Sequence, residues 1–118
     1  MYTFYFEKLE VWENARNFAK NIYELTSSFP EEGKFGITIQ IRRAAVSITA
    51  NIAEGFSRNT QKDKARFINQ SYSSTLEVVN FLILSKDLKF ITEVEYVAYR
   101  KEAEEISNKL NALYKTLK

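Results

Sequence analysis

Apolar residues recur at steps of three and four along this chain, and three short stretches interrupt them: SSFPEEGKFG at residues 27–36, EGFSRNTQ at 54–61 and DLKFIT at 87–92. Such steps put side chains on one face of an α-helix. The interruptions leave four helical segments, predicted at about residues 8–28, 34–56, 61–87 and 93–117. In the first, Val11, Ala15, Phe18, Ile22 and Leu25 form the stripe, widened by Trp12, Ala19 and Tyr23, and Pro30 closes it. In the third, the stripe reads Ala65, Ile68, Tyr72, Thr75, Val79 and Ile83, with Phe67, Val78 and Phe81 beside it. Asn59 or Thr60 is its N-cap, and Asp63 sits in the first turn, where the helix dipole favours an acid. The fourth opens on a capping box, Thr92 with Glu95. Behind it Tyr96, Tyr99, Ala103, Ile106, Leu110, Leu113 and Leu117 make a heptad seam. Helices of this length joined by short loops pack antiparallel, so the expected fold is all-α, an up-and-down antiparallel four-helix bundle in one domain, residues 1–118.

The second segment is less simple. Its opening ITIQI alternates like a strand, but helical spacing continues to Ala53, and its alanines are poor strand formers. At about 100° per residue, Ile37, Ile41, Ala44, Ala45, Ile48 and Ile52 form a broad core face. Nearly opposite lie Ile39, Val46, Ala50 and Ala53, a narrower apolar strip. Between the two runs a polar line, Arg43, Ser47, Asn51, Glu54 and Arg58, with Gln40 at its start. A lone bundle covers one side of each helix. The second strip therefore marks a subunit interface, against the plainer alternative of an over-hydrophobic helix in a monomer. The N-terminal YTFYF alternates weakly and reads as an extended arm without a partner strand; its aromatic rings are candidates for packing across a subunit boundary.

Composition narrows the chemistry. The chain has 118 residues, three glycines, one proline, and neither cysteine nor histidine. That removes disulfides, thiol nucleophiles, imidazole bases, the usual zinc sites and the Glu-x-x-His pairs of carboxylate-bridged metal bundles. Ser47 and Ser71 have no imidazole to activate them, and GKFG lacks the spacing of a phosphate-binding loop. The expectation is a protein without catalysis, metal or cofactor. The run VVNFLIL at 78–84 is too short to span a bilayer, and the N-terminus lacks the basic region and cleavage site of a signal peptide; a cytoplasmic protein with no membrane association is expected.

The net charge of +2 conceals an uneven distribution. Residues 1–33 sum to −3 and residues 34–66 to +5, while the rest balance. Arg42, Lys62, Lys64 and Arg66 are the candidates for contact with RNA or DNA, whose phosphates attract lysine and arginine with salt-dependent affinity. Arg43 and Arg58 instead read as partners of Glu54 within the polar line, which leaves Arg42 as the free member of the arginine pair. For Lys62, Lys64 and Arg66, solvated surface and nucleic-acid contact are both open. Most of the 17 aromatic residues fall at core spacing, which argues against a base-stacking platform.

The string FGITIQIRRAAVSITANIAEGFSR, together with LEVWENA, IYELTSSFP and DLKFIT, resembles the signature of the bacterial proteins encoded in intervening sequences of 23S rRNA genes, once labelled S23 ribosomal protein. The resemblance covers nearly the whole chain. It implies a left-handed four-helix bundle that assembles into a homopentamer, and a similarity of fold to the accessory variability determinant of diversity-generating retroelements, a basic pentamer that binds nucleic acid and a reverse transcriptase. The family label describes gene location more than activity. This chain departs from the family pattern at Thr49, where proline is usual; threonine restores an amide donor and removes a kink. Two classes of function follow: a nucleic-acid-associated oligomer, or a scaffold that presents surfaces to a protein partner.

Overall fold

Each of the three interruptions is a helix boundary in the structure, a computed structural model that describes residues 1–30 and 36–118. A 3-10 turn at Tyr5–Lys8 leads into α1 (Glu10–Thr26), followed by α2 (Ile37–Gly55), α3 (Gln61–Asp87) and α4 (Glu93–Leu117). The predicted starts at residues 34 and 35 of the second helix lie outside the described residues. No strand occurs among the described residues. The N-terminal arm is extended at Phe4 and turns only from Tyr5, where the Glu7 carboxylate accepts from the Phe4 N–H at 2.8 Å and the Glu7 N–H donates to the Phe4 carbonyl.

The helix ends are built from the residues that mark them. Thr60 Oγ1 accepts from the Asp63 N–H, so threonine rather than Asn59 is the cap of α3. At α4 the box is complete: Thr92 Oγ1 accepts from the Glu95 N–H at 3.1 Å, and the Glu95 carboxylate accepts from the Thr92 N–H at 2.9 Å. The end of α3 turns through Lys89, at φ 64°, and the Phe90 N–H reaches back to the Ser85 carbonyl while the Lys89 N–H reaches that of Lys86. This is the left-handed terminus that normally recruits glycine. Phe90 then packs on Phe29, ring centroids 5.3 Å apart, so the two loops at that end of the bundle meet.

Each helix packs on its neighbours in sequence, and α1 closes the square on α4. The partners show antiparallel runs: Lys109 pairs with Glu10 while Glu102 meets Asn21, and Ser71 meets Ile48 while Gly55 lies against Phe67. Ile37, Tyr96, Tyr99 and Leu113 are half-buried and Tyr23 is exposed, while the core holds the α1 stripe from Val11 to Leu25, the α2 face from Ile41 to Ile52 and Ala103, Ile106, Leu110 and Leu117 of the α4 seam. Burying side chains of this size stabilises the fold by about 1.5–3 kcal/mol each. Thr49 sits inside an uninterrupted α2, its hydroxyl donating to the Val46 carbonyl.

The third helix differs from its predicted stripe. Its buried residues are Ala65, Ile68, Ser71, Thr75, Val78, Leu82 and Ser85, among others, whereas Tyr72, Val79 and Ile83 are only half-buried. Packing against both α2 and α4 centres its buried arc between the two contacts. Small serines then face α2, where Gly55 already sets a close approach: a Cβ at that position would lie 2.9 Å from Phe67 Cβ.

Candidate nucleic-acid interface

The basic residues that follow the second break lie on the first two turns of α3, and helical spacing divides them. Lys62, Arg66 and Asn69, at i, i+4 and i+7, share one face and line a hollow of about 730 Å³ with Tyr114 and Leu117 of α4. Lys64 points elsewhere. It lines a second hollow of about 360 Å³ with Tyr5, Phe56 and Gln61, its ammonium 5.9 Å from the Phe56 ring centre. Lys62 is exposed and has no ion pair among the described residues. Arg66 is more constrained, 3.9 Å from the Asp63 carboxylate and 4.5 Å from the Phe67 ring centre.

Arg58 joins this group from the end of the polar line. Its guanidinium lies 4.6 Å from the same Phe67 ring and 3.3 Å from the Glu54 carboxylate. Two guanidiniums beside one aromatic ring concentrate positive charge, and each keeps one exposed carboxylate partner. The basic end therefore consists of Arg58, Lys62, Lys64 and Arg66 around Phe56 and Phe67.

Two of the sequence expectations are corrected. Arg42 is not free. Its Nε donates to Thr26 Oγ1 at 2.8 Å and its Nη2 to the Tyr23 carbonyl at 3.2 Å, while the guanidinium lies 4.5 Å from the Tyr23 ring centre. It caps the C-terminus of α1, where unpaired carbonyls attract a cation. Arg43, conversely, does not pair with Glu54. Eleven residues apart, the two are separated by about 16 Å along the helix, and Arg43 is exposed with no ion pair among the described residues. A shared strip on a helical wheel is not a contact.

The polar line is real at its centre. Asn51 Nδ2 donates to Ser47, to the carbonyl at 2.9 Å and to Oγ at 3.0 Å, and Ser74 of α3 donates its hydroxyl to Ser47 Oγ. Beside it, Ser71 Oγ donates to the Ile48 carbonyl at 2.8 Å. Of these bonds, those of Ser71 and Ser74 join α3 to α2, while those of Asn51 lie within α2. The opposed apolar strip splits as well. Val46 is 44% exposed and Ala50 is exposed, whereas Ile39 and Ala53 are half-buried. Ala53 looks onto a hollow lined by Phe4, Tyr5, Phe6 and Phe56, so the arm of the same chain shelters that end of the strip.

A sequence profile described as 23S rRNA-intervening sequence protein matches residues 7–112, nearly the whole bundle. The chain belongs to this family. No functionally curated protein matches it. Among solved structures, the intervening-sequence fold is similar to a Bacteroides thetaiotaomicron protein of unknown function from the S23 ribosomal protein family, with 26% identity and a TM-score of 0.81 over 89% of this chain and 98% of that one. Among the described residues no helix is long and apolar enough to cross a membrane.

The sequence reading named Lys62, Lys64 and Arg66 together and did not separate Lys64 from the face that Lys62 and Arg66 share. It missed Asn69, whose i+7 position was visible, and it missed Tyr114, Tyr5 and Phe56, which arrive from other elements.

Proposed function

We propose that this intervening-sequence family member is a non-enzymatic homo-oligomer that binds the phosphate backbone of RNA or DNA through the basic end of the bundle. The observation that carries this reading is the convergence of Lys62, Lys64 and Arg66 on adjoining hollows, with Lys62 carrying no competing carboxylate among the described residues. Lysine and arginine near phosphates release condensed counterions, and symmetric copies on one oligomer multiply a weak contact by avidity. The exposed Val46 and Ala50 support a subunit contact on α2, because apolar groups left in water are available to a second copy. A five-fold assembly is what the family resemblance implies for its geometry.

Two measurements test the reading. Electrophoretic mobility shift at low salt, with labelled RNA and DNA, is expected to show binding that the combined Lys62→Glu, Lys64→Glu and Arg66→Glu exchange abolishes. No binding by the unaltered protein contradicts it. Sedimentation equilibrium is expected to give a multiple of the chain mass that falls in Val46→Asp or Ala50→Glu; an unchanged mass in both removes α2 from the interface.

A second reading, a scaffold for a protein partner, rests on different side chains. Leu76 is 49% exposed on α3, and Val94 and Val97 are 80% and 57% exposed on α4. Purification after nuclease treatment separates the two: a partner protein that stays bound without nucleic acid favours the scaffold.

A further inference from the structure

We propose that the basic end of the bundle takes single-stranded rather than duplex nucleic acid, with bases against the rings of Phe4, Tyr5 and Phe56 and phosphates on Lys64, Lys62 and Arg66. This rests on the nucleic-acid reading above and narrows it to one strand state. Three hollows adjoin one another across this end of the molecule. The one beside Phe4, Tyr5 and Phe6, about 340 Å³, shares Tyr5 and Phe56 with the hollow at Lys64. That hollow in turn shares Gln61 and Leu117 with the largest one, at Lys62 and Arg66. Together they form a continuous track that changes from aromatic to cationic along its length.

The aromatic part of the track runs from the exposed rings of the arm to Phe56, which is half-buried against the core. Phe4 is 58% exposed and Tyr5 60% exposed, even though both are held in place. The Glu7 carboxylate pins the Phe4 N–H, Tyr5 leans on Phe56 at 5.3 Å between ring centres, and Phe6 packs edge-on against Trp12 at 5.1 Å. Rings fixed on a surface lose little freedom when a ligand stacks on them. They need a flat apolar partner, and the lysines beside them need an anion. An unpaired nucleotide strand offers both, since each base has a free π-face and each linkage a phosphate. A duplex keeps its bases stacked on one another and would leave the rings unused. The side-chain amides of Gln61 and Asn69 line the cationic stretch, placed for the polar edges of bases or for sugar hydroxyls.

The test is fluorescence anisotropy with a labelled oligouridylate and a labelled RNA duplex of equal length, on the full chain. The single strand is expected to bind at least about tenfold more tightly, and Tyr5→Ala to weaken that binding by about tenfold, in line with the loss of one stacked base. Tyr5→Trp is expected to retain it. Circular dichroism and light scattering on each variant report folding and mass. Equal affinity for strand and duplex, or full single-strand affinity in Tyr5→Ala, overturns the inference while the nucleic-acid reading stands. Binding of neither probe at low salt overturns both. If Tyr5→Ala and Phe4→Ala lose subunits together with affinity, the rings are a contact between copies and the inference is wrong.

Discussion

Gly55 ends α2 against α3, and hydrogen is the only side chain that fits there. A methyl group at its Cβ position would sit 2.9 Å from Phe67 Cβ and 3.4 Å from the Lys64 carbonyl, neither the flexible end of a side chain. Gly55→Ala is therefore expected to lower unfolding free energy by about 1–3 kcal/mol, as overpacking does, and urea denaturation at equal slope measures it. Unchanged stability would mean that α2 and α3 separate freely. Lys89 carries the opposite kind of strain. Its φ of 64° suits glycine, and Lys89→Gly is expected to raise stability by about 0.5–1 kcal/mol. Thermal unfolding would show the gain, and a lowered melting temperature would indicate a lysine contact that offsets the backbone strain. The cap at Thr92 was legible in the sequence because its chemistry is local, and that at Thr60 was legible as one of two candidates. Lys89 was not, because nothing in its side chain announces a left-handed backbone.

At the scale of the element, local periodicity described the buried stripe of α1 well. The stripe of α1 is buried as predicted from Val11 to Leu25. It described α3 less well because serines, which an apolar pattern passes over, take part of its buried arc, each donating its hydroxyl to a neighbouring oxygen. Ser71, Thr75 and Ser85 each do so, and no buried side-chain polar atom among the described residues lacks a partner. The contact between α1 and α4 has the clearest pH signature. Glu102, beside Asn21 and near Glu105, has its carboxyl raised above the ordinary 4.5, first by burial and then by the Glu105 charge, against the Asn21 hydrogen bond. Folding therefore favours the protonated acid. That contribution is complete below about 4.5 and is lost as pH rises through the folded-state value. Glu102→Gln, which keeps an acceptor for Asn21, is expected to raise the melting temperature at pH 7, with the gain shrinking as the medium is acidified toward pH 4. A variant less stable than the parent at pH 7 would show that the Glu102 charge is favourable where it lies.

Over the whole molecule, the charge pattern matters more than the sum. A net +2 would not draw a polyanion strongly, but the +5 of residues 34–66 is sorted by the fold. Arg42 is spent on the end of α1, Arg43 has no ion pair among the described residues, and Arg58, Lys62, Lys64 and Arg66 gather at one end beside Tyr5, Phe56 and Phe67. The four helices and the breaks between them were legible from the spacing of apolar residues. The candidate site was legible only in part, since the sequence shows which residues are basic but not which are already occupied. The most direct test of the account is a titration of single-stranded RNA binding at several salt concentrations. It predicts log affinity falling linearly with log salt, with a slope of about −2 per engaged subunit for three phosphate contacts, and loss of binding after Lys62→Glu, Lys64→Glu and Arg66→Glu. Binding that ignores salt, or that survives this triple exchange unchanged, would contradict it.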